Sequence, residues 1–321
     1  FVLSGFVIGY AYDDRWDRMS IKDFFKRRLV RLHPMVIMGS IVGAAFFYFQ
    51  ESPCFPPIEN TSIGTMLLVM LLGCTLLPLP LKFDIRGWTE MHPLNGPAWS
   101  LYYEYIGNIL YALFVRKFNK VALSVLVFVA GCFTVYRCLT APAGDIVGGW
   151  ALNWEQQYVG MVRLMYPFFG GLLLSRLGWL IRLEKRAFWW CSLLIVVVLS
   201  IPRIGGEDGY WMNGLYEAFC IICIFPVIVS MGAGGKVTGK RSTAVCKFLG
   251  DISYPIYITH YPLVYTYTAW VCNNNATMAE GIPYMILTFV GAVVLAYACL
   301  KLYDEPVRKW LTDRFLKGKK K

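Results

Sequence analysis

Apolar runs recur along the chain at about the length a bilayer demands, roughly 20 residues each, with polar segments between them carrying most of the charge. They lie near 1–10, 35–49, 99–116, 122–139, 159–176, 187–201, 215–232, 253–271 and 280–303, and the first is already under way at Phe1. The period-two alternation of an outer-membrane barrel is absent. The pattern predicts an all-α, polytopic transmembrane helix bundle with about nine spans, the first of them partial. One further run, GTMLLVMLLGCTLLPLPL at 64–81, is ambiguous. Pro-rich stretches flank it, PCFPP at 53–57 and PLP at 78–80, and it is able either to cross or to re-enter.

The basic residues separate these alternatives, because cytoplasmic loops carry the excess of Lys and Arg. With 64–81 not crossing and 11–34 inside, the inner segments are 11–34, 116–120, 176–186, 233–252 and 301–321. Together they hold 26 of the 31 basic residues and leave Lys82, Arg86, Arg137, Arg163 and Arg203 outside. A crossing at 64–81 would move every later basic loop to the outside. Segment 50–98 is therefore expected to be external, with a re-entrant or interfacial apolar stretch. Residues 307–321 are expected to form a basic cytoplasmic tail lying on anionic membrane lipids. The first run must then travel from outside to inside, so the parent protein is expected to carry an earlier helix or an external N-terminus.

A net charge of +11 in a soluble protein would suggest nucleic acid. In a chain that is 57% hydrophobic and only 16% charged it reads as loop charge, and no nucleic-acid partner is expected. Most of the ten cysteines lie within apolar runs. Cys220 and Cys223 form a CxxC with no partner pair, so no metal site is expected. NNNAT at 273–277 is a formal glycosylation sequon, meaningful only in a secretory eukaryotic context. No Gly-rich phosphate loop, HExxH or GxSxG occurs, so any chemistry must come from residues within the membrane and from a basic surface.

Intramembrane ionisable residues are costly and face cavities or partners. Glu104, in WSLYYEYIGNILYALF, lies about five residues into a helix entered from outside. Ser100 precedes it by four residues on the same face, and Trp99 adjoins Ser100. A structural hydrogen bond between helices is the plainer alternative. His260, in GDISYPIYITHYPLVY, is expected some seven residues inside a helix entered from the cytoplasm, with Tyr257 at i−3. An interhelical hydrogen bond is as good an account of it as catalysis. His33 and His92 read as ordinary interfacial histidines. IKDFFKRRLVRLHP reads as an interfacial amphipathic helix. Its Arg28 and Arg31, three apart, are expected to project from one face and to fork onto phosphates, although lipid headgroups explain the charge equally well.

FVLSGFVIG, FFKRRLVRLHP, NGPAWSLYYE, LGDISYPIYITHYPL and YDEPVRKWL occur in the order seen in the acyltransferase-3 family, which the chain resembles over essentially its whole length. The family consists of bacterial integral membrane proteins that O-acylate, often O-acetylate, sugars of surface or exported polysaccharides. The resemblance implies a single membrane-embedded acyltransferase domain over 1–321 and about ten helices in the intact parent. The missing one would be the family's first, which carries an Arg and a His central to transfer, so the chain is expected to be inactive alone. Ser4-Gly5-Phe6 then belongs to the second helix, with small residues packing against the absent one and Ser4 in a supporting role. Arg28 and Arg31 match the pair thought to serve an acyl-CoA cosubstrate, and no bound cofactor is implied. Glu104 and His260 match the catalytic candidates, with Trp99, Ser100 and Tyr257 framing them. Glu305 and Pro306 match an architectural turn.

The implied activity is transfer of an acyl, most simply acetyl, group from cytoplasmic acyl-CoA to a hydroxyl of a cell-surface or exported glycan, at a bacterial inner membrane with the C-terminus inside. Two rivals remain at this level. A transporter or flippase would also use intramembrane Glu and His, but no internal repeat supports it. A metal-dependent glycosyltransferase would need clustered external carboxylates, and only Glu207-Asp208 are adjacent.

Overall fold

The computed structural model describes residues 1–204 and 209–316, so Glu207 and Asp208 and the last five residues of the tail lie outside the described residues. It is all-helical, with no strand among the described residues. The helices are α1 (Val2–Tyr12), α2 (Ile21–Phe46), α3 (Ile63–Gly73), α4 (Ala98–Leu113), α5 (Lys120–Thr140), α6 (Trp154–Leu177) and α7 (Ala187–Ser200). They continue as α8 (Tyr210–Phe219), α9 (Phe225–Gly234), α10 (Lys240–Thr259), α11 (Tyr261–Asn274), α12 (Met278–Cys299) and α13 (Glu305–Phe315).

Five helical stretches among the described residues are long and apolar enough to cross a membrane: Ile21–Gln50, Lys120–Thr140, Trp154–Leu177, Tyr210–Gly234 and Met278–Phe315. α5 shows why a bilayer is the right solvent. Its buried stripe is made of small or modest residues, among them Ala130, Gly131, Thr134 and Cys138. Val121, Val125, Phe128, Phe133 and Tyr136 point outward, each more than half exposed. A helix that turns its largest apolar side chains away from the protein is matched to lipid.

Several boundaries differ from the sequence reading. The basic segment and the following apolar run are one helix, α2, with Pro34 inside it. α3 has 11 residues, a rise of about 16 Å, roughly half the hydrocarbon thickness. The run read as a span at 253–271 is two helices. α10 ends at Thr259, α11 begins at Tyr261, and Pro262 in its first turn marks the break. His260 sits in that break, not within a continuous helix. NNNAT is a turn: Asn275 takes the left-handed conformation that closes α11, and Thr277 and Glu280 form a capping box that opens α12.

The chain forms two compact units. The first comprises residues 1–20, 103–149 and 154–246, and the second 21–102, 150–153 and 247–321. In the first, α1 lies directly on α6. A β-carbon on Gly5 would run into the carbonyl of Phe168, and one on Gly171 into the carbonyl of Val2. The small residues of the SGF stretch therefore serve backbone contact with α6 of this same chain, where the sequence had pointed to an absent helix. At its other end α1 is held by Asp13, which pairs with Arg176 at 2.7 Å and accepts a hydrogen bond from Tyr111 at 2.8 Å.

In the second unit, residues 47–97 form a folded loop against α2 and α11. Cys54 and Cys272 form a disulfide that ties it to the end of α11. Its centre is Arg86, which is fully buried. The guanidinium lies 3.6 Å from the centre of the Tyr265 ring and donates to Gln50 Oε1 (2.7 Å) and to the Pro93 carbonyl (2.8 Å).

Candidate functional site

The polar residues that stand out in the sequence fall into two clusters, one in each unit. In the first unit the Ser4 hydroxyl donates to Glu104 Oε2 at 3.2 Å. Ser4 reaches that carboxylate because Gly5 lets α1 settle onto α6. The backbone carbonyl of Glu104 accepts from the side chain of buried Asn108 at 2.7 Å, an i+4 contact that fixes this turn of α4. Arg163, the tenth residue of α6, donates to the Gly148 carbonyl at 2.5 Å. Ser4 is thus a partner of the carboxylate, and Arg163, which the sequence reading left as one external charge among five, holds the turn at Gly148.

In the second unit the meeting point is the carbonyl of Pro97. It accepts from Tyr257 Oη at 2.8 Å and from Ser100 Oγ at 3.2 Å, and Ser100 and Tyr257 also hydrogen-bond to each other. Trp99 is half-buried beside them in the first turn of α4. Asn95 donates to the Ile258 carbonyl at 2.9 Å and so pins the turn before α4 onto α10. His260 Nδ1 lies 2.9 Å from the Ile256 carbonyl and 3.0 Å from that of Tyr257. Carbonyls only accept, so Nδ1 carries the proton, and in the neutral ring Nε2 keeps its lone pair. The ring folds back on its own turn at the end of α10, where the Ile256 carbonyl also accepts the His260 backbone N–H at 3.0 Å.

Arg28 and Arg31 do not share one environment. Arg28 is buried and Arg31 exposed. Arg31 acts on Asp304, a buried carboxylate paired with Arg308 at 2.7 Å. The turn read as architectural at Glu305-Pro306 thus carries a partner for the basic helix one residue earlier.

The loop of the second unit holds titratable groups that sequence reasoning missed. Tyr265 Oη donates to Glu90 Oε2 at 2.5 Å, and burial pushes the Glu90 carboxyl up to about 7 against that hydrogen bond and the charge of Arg86. His92 is buried, not interfacial, and burial pushes it down to about 3, so it is neutral. Cys220 and Cys223 lie on a π-helical turn, the first buried and the second exposed, and no group of three or more metal-ligating side chains occurs among the described residues.

Comparison with known proteins adds the following. A family profile described as an acyltransferase domain, of the acyltransferase-3 type, matches residues 1–300. A protein of Rhizobium radiobacter described as protein 2 in the picA locus is 31% identical over 119 residues, covering 35% of this chain. The matched stretch covers 61% of that relative's length. No solved structure matches significantly.

Proposed function

The chain belongs to the acyltransferase-3 family, and we propose that it works as a membrane O-acyltransferase. In this reading it moves an acyl group, acetyl in the simplest case, from cytoplasmic acyl-CoA to a hydroxyl of a cell-surface or exported glycan. The protein sits in a bacterial inner membrane with about nine spans and the C-terminus inside. The disulfide supports that orientation, since Cys54 and Cys272 both fall in segments read as external and disulfides persist on the oxidising side.

The observation that carries the reading is the imidazole of His260, locked with its proton on Nδ1 and a lone pair on Nε2. An imidazole whose Nδ1–H is held by carbonyls presents Nε2 as an acceptor, the arrangement a general base needs. The acceptor hydroxyl gives its proton to Nε2 as its oxygen attacks the thioester carbonyl. The carbon–sulfur bond breaks, an oxygen ester forms, and the proton passes on to the departing thiolate. Ser100 and Tyr257 hold the turn beside that ring. Glu104, held by Ser4, accepts hydrogen bonds from a polar substrate group, and Arg31, with Arg28 behind it, meets the donor's phosphates.

The test is transfer from radiolabelled acetyl-CoA into surface polysaccharide, in cells carrying the complete natural gene with His260, Arg28 and Arg31 intact or replaced. Loss of label in His260→Ala, at equal protein level, is the expected result, with a smaller loss in Arg31→Ala. No incorporation by the intact protein from any short acyl-CoA overturns the reading and favours a transporter.

A further inference from the structure

The first unit contains a cavity of about 450 Å³ bounded by α5, α6, α7, α8 and α9. That is within the range of small-molecule sites, roughly 300–1,000 Å³. One end is polar. Arg163 and Glu217 line it, as does Arg203, which pairs with Asp145 at 3.1 Å. Glu217 Oε2 accepts the backbone N–H of Ile146 at 2.8 Å, and Asp145, Arg203 and Arg163 all act on its carboxylate. Two cations and two carboxylates thus meet in one place with no net charge. The other walls are apolar, among them Val198, Ile221 and Phe225. Leu199 and Ile201 line the cavity while being 72% and 42% exposed, so its mouth opens on the exposed apolar face at the end of α7.

The chemistry of the lining selects an occupant. A free anion would meet Asp145 and Glu217, and a cation would meet Arg163 and Arg203. Hydroxyl groups both donate and accept, so a polyol satisfies such a balanced floor without leaving a charge unpaired. The apolar walls and lateral mouth suit a chain that lies in the bilayer. Phe1 and Val2 also line the cavity, within one turn of Ser4, which places the cavity near the Ser4–Glu104 pair.

We infer that this cavity is an acceptor subsite for the hydroxyl-rich headgroup of an amphiphile, a sugar carried on an apolar chain, with Arg163 and Glu217 as its specificity-determining residues. The assignment rests on the acyltransferase reading for the word acceptor, though not for the existence of the site.

The experiment uses the complete natural protein in lipid nanodiscs and a tritiated octyl glucoside bearing a diazirine on its chain, with labelled peptides mapped after photolysis. Label is expected to concentrate on the peptides carrying Ile221 and Phe225. A diazirine-bearing octanol, which lacks the sugar, should label them about tenfold less, and so should octyl glucoside in Glu217→Gln or Arg163→Gln, a tenfold change corresponding to about 1.4 kcal/mol. Label spread over all lipid-facing helices, or equal labelling by the sugarless probe, overturns the site and leaves only a lipid-filled groove. This mapping on the unaltered protein stands even where a variant fails to fold. Transfer from radiolabelled acetyl-CoA to the same glucoside is measured in parallel. Cavity labelling without transfer from any short acyl-CoA removes the acyltransferase reading and keeps the site, and transfer without cavity labelling does the reverse.

Discussion

The two units treat their buried charges in opposite ways. In the first, Arg163, Glu217 and Arg203, the last paired with Asp145, border some 450 Å³ of open volume. In the second, Arg86 has no exposed surface at all, with Phe47, Phe55 and Tyr265 rings around its guanidinium. The cavity beside the following turn, lined by His92 and Asn95, holds only about 20 Å³, room for about one water. The residue types are the same. An arginine enclosed by aromatic faces and carbonyls holds a loop in place, whereas Arg163 borders a cavity large enough for a ligand.

Replacing Arg86 should therefore have the largest effect on folding. Arg86→Met strands Gln50 Oε1 and the Pro93 carbonyl without a donor in a buried site, at a cost of about 1–3 kcal/mol for each, the usual penalty for an unsatisfied buried group. Thermal unfolding in nanodiscs should show a clearly lowered Tm. Arg163→Met removes the bond to the Gly148 carbonyl at the edge of the cavity and should lower Tm by less than Arg86→Met while weakening glucoside labelling. Equal losses of Tm in the two variants would break the comparison.

The disulfide sharpens the same contrast at a smaller scale. Opening a bridge that closes a long loop costs about 2–4 kcal/mol, and here Cys54 and Cys272 are 218 residues apart. The double variant Cys54→Ser, Cys272→Ser should make residues 50–97 readily cleaved by protease added to the external face of proteoliposomes. Photolabelling of the cavity in the first unit should be unaffected. Cleavage unchanged by the variant would mean that the Arg86 cage alone secures the loop.

How much of this the sequence carries differs between the two regions. The helical class, the family resemblance and the prominence of Glu104 and His260 follow from local pattern, because an apolar run with one ionisable residue is visible one window at a time. The break at His260 was signalled by Pro262, yet it was hidden inside a run whose hydropathy never falls. Arg86, Glu90 and Tyr265 are 175 residues apart at the extremes and share no spacing rule; only tertiary packing joins them. Cys54 and Cys272 escaped for the same reason, since eight further cysteines offered no spacing to choose a pair. The polar cavity was missed because Arg163 and Glu217 each look like topology charges until five helices bring them together. For Arg28 and Arg31 a helical spacing of three gives a shared side of the helix, and only packing shows that the first is buried and the second exposed.

The smallest effect expected is a pH dependence confined to the second unit. Glu90 is raised from an ordinary 4.5 to about 7 by burial, so the folded loop holds its proton more tightly than the unfolded chain. Its contribution is full below about pH 4.5 and is lost as the pH rises through about 7. His92 works in the opposite sense. Lowered from 6.5 to about 3, it favours the folded loop above pH 6.5 and withdraws that support as the pH falls through about 3. The two slopes oppose each other between about pH 4.5 and 6.5, so the native protein should show a shallow profile in its loop-protection factors, read by hydrogen exchange at residues 84–96. Glu90→Gln removes only the first slope and should leave stability that rises with pH across that interval. A profile unchanged by Glu90→Gln would mean that the Tyr265 hydrogen bond and the Arg86 charge together hold Glu90 ionised throughout, and the cage would then be a fully charged one whose stability owes nothing to protons.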